Sequence, residues 1–246
     1  MRYEMMRPGQ IQDAIRRRLP LLMPVGVLEY HGHQNPVGTD ALIAQGIVHR
    51  IEARTECVVA PTVFYGYTGE WAADERLGEI HIDGDALYAF AKPILKAFLG
   101  QGWPSIYVIC HHQGPQGVTM LTYQRAATEA AFECAREQAG PGWFRQANWH
   151  DDDNRLAEIA FHTFHVVGDA AYSTEGYPGH GGCGETSAML FLYPETVDLG
   201  ELAGMDPRPY WAKDAEESSE ECGRRIGEAI IDSWVARLAA DRQPGA

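Results

Sequence analysis

The sequence predicts an α/β fold built on a largely parallel sheet, and two observations carry that prediction. Segments rich in apolar and β-branched residues alternate along the chain with longer amphipathic ones. Two of the apolar segments run straight into polar, histidine-bearing loops, the kind of loop that collects at the carboxyl ends of parallel strands.

The first predicted strand is Leu19 to Leu28 (LPLLMPVGVL), followed by a polar, glycine-bearing loop from Glu29 to Gly38. A helix then begins with Thr39 or Asp40 as its cap, ahead of ALIAQGIVHRIEA. Cys57 to Phe64 (CVVAPTVF) reads as the next strand, and Gly78 to Asp83 (GEIHID) as a short alternating segment leading into a helix from about Asp85 to Leu99. Ser105 to Cys110 (SIYVIC) is a strand bounded by Pro104, and the loop HHQGPQG leads into the helical stretch TMLTYQRAATEAAFECAREQ. Leu156 to Val167 reads as helical, Gly184 to Leu192 opens another helix, and an amphipathic helix from Lys213 to Leu238 closes the pattern. No linker-like composition, internal repeat or low-complexity tract divides the 246 residues, so residues 1–246 are expected to form a single domain.

A formal net charge of -14 argues against nucleic acid or an anionic membrane surface as partner, since both need a basic face. The five cysteines are odd in number, scattered and without a CxxC pair, so neither a disulfide framework nor a thiolate zinc knuckle is expected, and a reducing cytoplasm fits. No uncharged apolar run approaches about eighteen residues, and the N-terminus lacks the apolar region of a secretion signal.

The chemistry-bearing residues lie in three segments. Glu29 and His31 are two apart, so in extended chain they present an oxygen and an imidazole nitrogen to one side. Asp40 returns nine residues later at a helix start, across a loop containing Pro36 and Gly38. Oxygen and nitrogen donors without thiolates suit a divalent ion such as Zn, Mn or Fe at a catalytic site. A lone E-x-H pair is ordinarily two solvated side chains and Asp40 an ordinary cap; a carboxylate placed directly behind an apolar strand shifts that balance, because burying it without a cation is costly. His111 and His112 leave the strand SIYVIC, and strand alternation admits only one of them to the site. In the third segment, GHGGCGETSAML, His180 and Glu185 flank a glycine-rich run that can bring backbone close to a ligand. Read alone, that segment is equally a turn followed by a capped helix.

Taken in order, PVGVLEYHGHQNPVGTDALIA resembles the signature of the creatininase family, commonly close to PxGSxEQHGPHLPLGTDxxIA. HHQG and HGGCGETSAML resemble the family's NGHGGN and HAGxxETSxML motifs. The resemblance implies a three-layer α/β/α sandwich assembling into homo-oligomers, often hexamers, with a one- or two-ion site that activates water. It implies Glu29, His31, Asp40, His112 and Glu185 as metal ligands, Asp40 as the bridge, and His180 as the catalytic proton-transfer histidine. The chain departs from the family at Cys110 and His111, which replace the Asn-Gly before the metal histidine, and at Gln34 and Cys183. Gly114 stands where true creatininases carry a glutamate, which counts against creatinine itself as the substrate.

The resulting expectation is a metal-dependent hydrolase of a small molecule, opening a cyclic amide or other non-peptide C–N bond. Hydrolytic C–C ring opening of a cyclic polyol diketone, as in creatininase-like enzymes of inositol breakdown, is the second reading; Gln34, Asn35, His111 and Gln113 would suit a hydroxyl-rich substrate. A metal-binding oligomeric scaffold without turnover is the third. Cys183 has no partner base at motif spacing, and reads as a spectator thiol more readily than as a nucleophile. Tyr65, Tyr67, Trp71, Trp149 and Tyr177 fall in predicted loops, where they can wall a small pocket but are individually ordinary packing residues.

Overall fold

A computed structural model describes residues 1–73, 75–114, 116–146, 155–168 and 179–241. Trp149 and Tyr177 lie outside the described residues. Eight α-helices and four strands follow in the order α1 (Pro8–Arg16), β1 (Leu21–Val25), α2 (Thr39–Glu52), β2 (Val58–Val59), α3 (Gly84–Gln101), β3 (Ile106–Cys110), α4 (Val118–Ala139), α5 (Trp143–Gln146), α6 (Arg155–Phe161), β4 (Phe164–Gly168), α7 (Cys183–Leu192) and α8 (Glu220–Ala240) among the described residues.

The sheet order is β2-β1-β3-β4 with every pairing parallel. Strand periodicity builds the layers. Leu21, Met23 and Val25 of β1, with Ile106, Val108 and Cys110 of β3, pack against residues of α1, α3 and α4. Their alternates Leu22, Tyr107 and Ile109 pack against α2, α7 and α8. Both strands are buried on both faces, hence their continuous apolar runs. The expected α/β/α sandwich is thus observed. None of the five cysteines is in a disulfide among the described residues. No helix among the described residues is long and apolar enough to cross a membrane.

Several boundaries differ from the sequence expectation. Helix α1 was not anticipated; Pro8 opens it and the Gln10 side chain accepts the Arg7 N–H. The predicted strand Cys57 to Phe64 is regular only at Val58–Val59, because Pro61 brings no N–H to the ladder. Leu156 to Val167 is not one helix. Its second half is β4, pairing in register with β3 and outermost in the sheet among the described residues; being only half-buried, it lacks the long continuous apolar run of β1 and β3. The acidic stretch from Lys213 begins as 3-10 turns. Helix α8 starts only at Glu220, where the Ser219 hydroxyl accepts the Cys222 N–H.

Consecutive strands depart from β1 in opposite directions, β2 on one side and β3 on the other. That reversal opens a crevice beyond the carboxyl ends of β1 and β3, the place where open parallel sheets bind ligands. Gly26, directly after β1, lets the first turn of α2 pack onto the strand end: a Cβ there would sit 2.2 Å from Ala41 N and 2.5 Å from the Asp40 carbonyl carbon.

Candidate metal centre

Five segments converge on that crevice. Glu29, Tyr30 and His31 follow β1, with the Glu29 N–H donating to Val37 O at 2.8 Å. Asp40 lies in the first turn of α2 and Glu185 in the first turn of α7, where the positive end of each helix favours a carboxylate. The α2 cap is Gly38 rather than Thr39 or Asp40, so the Asp40 side chain is not engaged in capping. His111 and His112 follow β3, and His180 precedes α7. Gly181, at φ +59, passes so close to His31 O that a Cβ there would lie 2.7 Å from it.

The two oxygens of Asp40 face different partners. Oδ1 is 3.2 Å from His31 Nε2, which is 3.4 Å from Glu185 Oε2. Oδ2 is 2.8 Å from His112 Nδ1, which is 3.3 Å from Glu29 Oε2. Two sets of donors with metal-ligand spacing therefore share Asp40: Glu29, Asp40 and His112, and His31, Asp40 and Glu185; Glu29, His31 and His180 form a third grouping. All five of the expected ligands are buried.

The outer nitrogens of three histidines are anchored on backbone carbonyls. His31 Nδ1–H donates to Glu29 O at 3.0 Å, His112 Nε2–H to Tyr67 O at 2.9 Å and His180 Nε2–H to Tyr30 O at 2.7 Å. Each ring thus turns its other nitrogen to the cluster, the tautomer control typical of metal-ligating imidazoles. Glu29, fully buried, accepts no hydrogen bond on either oxygen among the described residues, and His31 Nε2 makes none. Buried carboxylates left in this condition are costly without a cation. The donor set, oxygens and imidazole nitrogens with no thiol, fits divalent Zn, Mn or Fe. Cys183 Sγ lies instead 3.9 Å from Ser187 Oγ.

Electrostatics agree. Burial disfavours the charged form of His31, but Asp40, Glu185 and Glu29 outweigh it and push its pKa up to about 9. For His112 burial is likewise outweighed, by Asp40 and Glu29, and the ring is pushed up to about 10. Asp40, despite burial, is held far below the usual carboxylate range by His31 and His112. His180 moves the other way, lowered by burial and then by the neighbouring His31.

A cavity of about 270 Å³ opens over the cluster, lined by Glu29, Asp40, His112, Glu185 and His180 together with Trp71, His111, Gln113 and Gly179. The His180 ring packs between Trp71 at 4.4 Å and Trp211 at 4.8 Å and lies 4.1 Å from His31. Trp71, among the loop aromatics singled out in the sequence, does reach the cavity and is 50% exposed. Tyr67 contributes its carbonyl.

Two expectations need correction. His111 and His112 both face the site: His111 makes the last backbone bond to β1, and beyond it the chain leaves the strand and turns through Gln113 at φ +59. Gln34 and Asn35 are scaffold, not substrate-facing: Gln34 Nε2–H donates to Gly181 O at 2.7 Å and Asn35 Nδ2–H to Thr186 Oγ1 at 2.8 Å, tying the His31 loop to α7.

Comparison with known proteins gives a consistent likeness. The sequence model of the creatininase family, described as creatinine amidohydrolase, matches residues 4–238. The chain is 24% identical over 243 residues to the creatinine amidohydrolase of Pseudomonas putida, covering 89% of this chain and 86% of that protein. A shorter likeness, 29% identical over 65 residues, covers 26% of this chain and 21% of the 3-dehydro-scyllo-inosose hydrolase of Thermotoga maritima. A crystal structure of creatininase superposes with a TM-score of 0.74 at 20% identity, over 99% of this chain and 98% of that one. Similar solved structures include an Mn creatininase, a Zn-Zn type mutant and a mutant complexed with creatine.

Proposed function

Because the chain belongs to the creatininase family, we propose that it is a metal-dependent hydrolase that opens a small cyclic amide or another non-peptide C–N bond. The observation that carries this reading is the split of Asp40, one oxygen toward His31 and Glu185 and the other toward His112 and Glu29, at the floor of a small cavity. In this reading Asp40 would serve both ion-binding sets. Glu29 and His112 complete one ion-binding set, and His31 and Glu185 the other. Divalent ions held there supply Lewis acidity and make water a nucleophile near neutral pH.

The chain's own groups supply the rest. Trp71 and Trp211 fix the plane of His180, and the Tyr30 carbonyl holds the proton on its Nε2. Nδ1, with its basicity lowered by burial and His31, takes a proton released at the cavity floor and delivers it to the leaving nitrogen. Trp71 and Gln113 wall the mouth and limit the substrate to a small molecule. Gly114, next to Gln113 in the chain, offers no carboxylate where true creatininases carry a glutamate, which turns the reading away from creatinine itself.

Hydrolytic C–C ring opening of a cyclic polyol diketone is the second reading, supported by the partial likeness to 3-dehydro-scyllo-inosose hydrolase. It loses support from Gln34 and Asn35, whose amides are engaged by backbone and Thr186 rather than turned to the cavity. The whole chain forms one catalytic domain in this reading and assembles with further copies of itself.

Purified protein loaded with Mn or Zn and assayed against lactams, formamides and cyclic ketones is expected to turn over a lactam or formamide. His180→Ala should lose about 10²- to 10⁴-fold in rate while keeping its metal. Turnover of cyclic ketones alone selects the second reading; metal binding with no turnover of any class selects a non-catalytic scaffold.

A further inference from the structure

We infer that His111 is a positioning residue that clamps Glu185 and thereby tunes the ion-binding set formed by His31, Asp40 and Glu185; this rests on the metal reading above. His111 is buried and lines the cavity, with Nε2 at 3.2 Å from Glu185 Oε1. An ionised carboxylate can only accept, so the proton of this contact sits on His111 Nε2. The other oxygen, Oε2, accepts the Gly181 N–H at 2.7 Å and stands 3.4 Å from His31 Nε2. Glu185 therefore has one donor on each oxygen, and its carboxylate plane is set by the protein. Glu29, which serves the other set, has no such clamp: neither of its oxygens accepts a hydrogen bond among the described residues.

The sequence marks His111 as particular to this chain. It stands where the family's usual NGHGGN motif has a glycine, which has no side-chain donor to offer. Its placement follows from the sheet: His111 N–H donates to Val25 O at 3.0 Å as the last rung between β1 and β3, fixing its backbone at the crevice. Donors that orient a ligating side chain in this way are worth about 10- to 100-fold in metal affinity. The two ion-binding sets should consequently differ in their dependence on His111.

The test titrates metal-depleted full-length protein with Mn²⁺ and, separately, Zn²⁺ against a chromophoric chelator. Wild type is expected to show two binding steps; Glu185→Ala should lack one of them and His112→Ala the other. His111→Leu should weaken only the Glu185-dependent step, by about 10- to 100-fold, and His111→Gln, which keeps an N–H donor at similar reach, should restore most of that loss. His111→Gly, carrying the family's residue, gives the same reading should the leucine variant not fold. Unchanged affinity in His111→Leu or His111→Gly overturns the inference. So does complete loss of the step in both His111→Leu and His111→Gln, which would make the ring a ligand. If Glu185→Ala itself leaves both steps intact, the metal reading fails and the inference falls with it.

Discussion

Replacing Gly26 with alanine should disable the metal centre without altering any ligand. The added Cβ would lie 2.2 Å from Ala41 N, 2.4 Å from Ala41 Cα and 2.5 Å from the Asp40 carbonyl carbon. Comfortable heavy-atom contact is about 3.5–4.0 Å, so strand end and helix must part by roughly 1 Å or more. The atoms met are backbone, so no side-chain rotation relieves the clash. The helix that moves carries Asp40, whose oxygens serve both ion-binding sets. Ligand distances tolerate only about 0.2 Å, and a misplacement of 1 Å can cost about 10²-fold in rate. Gly26→Ala is therefore expected to lose about 100-fold in turnover and to bind metal more weakly at both steps, with about 1–3 kcal/mol lost in stability. Chelator competition and calorimetry on the purified variant measure these effects. Gly100→Ala is the control: it lies in α3 with nothing within 4 Å of its added Cβ, and should be neutral or slightly stabilising. Wild-type metal affinity and turnover in Gly26→Ala would refute the idea that this contact sets the position of Asp40.

Three further outcomes follow from the structure. Metal binds only the neutral imidazole, whereas in the metal-free protein His31 is pushed up to about 9 and His112 to about 10. Below pH 9 each loading step should thus expel one proton, with affinity rising about tenfold per pH unit as pH rises and flattening above the two values. The raised histidine pKa values also mean that their contribution to metal-free stability is full below about 6.5 and is lost as pH climbs through 9 and 10; the loaded protein should not share that decline. Calorimetry in buffers of different ionisation enthalpy counts the protons, and a count of zero at pH 7 would contradict the assignment of the two rings. Ser219→Ala removes the cap of α8 and should cost about 1 kcal/mol, a fall of about 2–4 °C in Tm, with turnover unchanged because the backbone N–H that bonds Ser187 Oγ on α7 is retained; a loss of turnover would show that the cap also sets the position of α7.

The parts of the fold and site that were readable from sequence share a cause. Strands β1 and β3 are buried on both faces, so their apolar runs are continuous, and the polar residues that end them, Glu29 and His112, are conspicuous for that reason. Strand β4 is half-buried throughout and follows α6 after only His162 and Thr163, which let it pass as a continuation of the helix. The acidic residues Glu216 and Glu217 extend the helical pattern of α8 upstream, although the Ser219 cap decides where the helix begins.

Within the site, the donors were legible and their orientation was not. Placing both His111 and His112 in the crevice depends on where strand pairing stops, a tertiary property that alternation cannot supply. The carbonyls of Tyr67 and Tyr30 that anchor His112 and His180 leave no mark in the sequence, since every residue has one. Trp71 could be recognised as a loop aromatic, but only the fold sets it against His180.

Metal content across four proteins tests the shared role of Asp40 most directly. After gel filtration in metal-containing buffer, elemental analysis should find two ions per chain in wild type, one each in His112→Ala and Glu185→Ala, and none in Asp40→Ala, because both donor sets pass through that carboxylate. Asp40→Ala retaining the wild-type complement would contradict the two-ion centre.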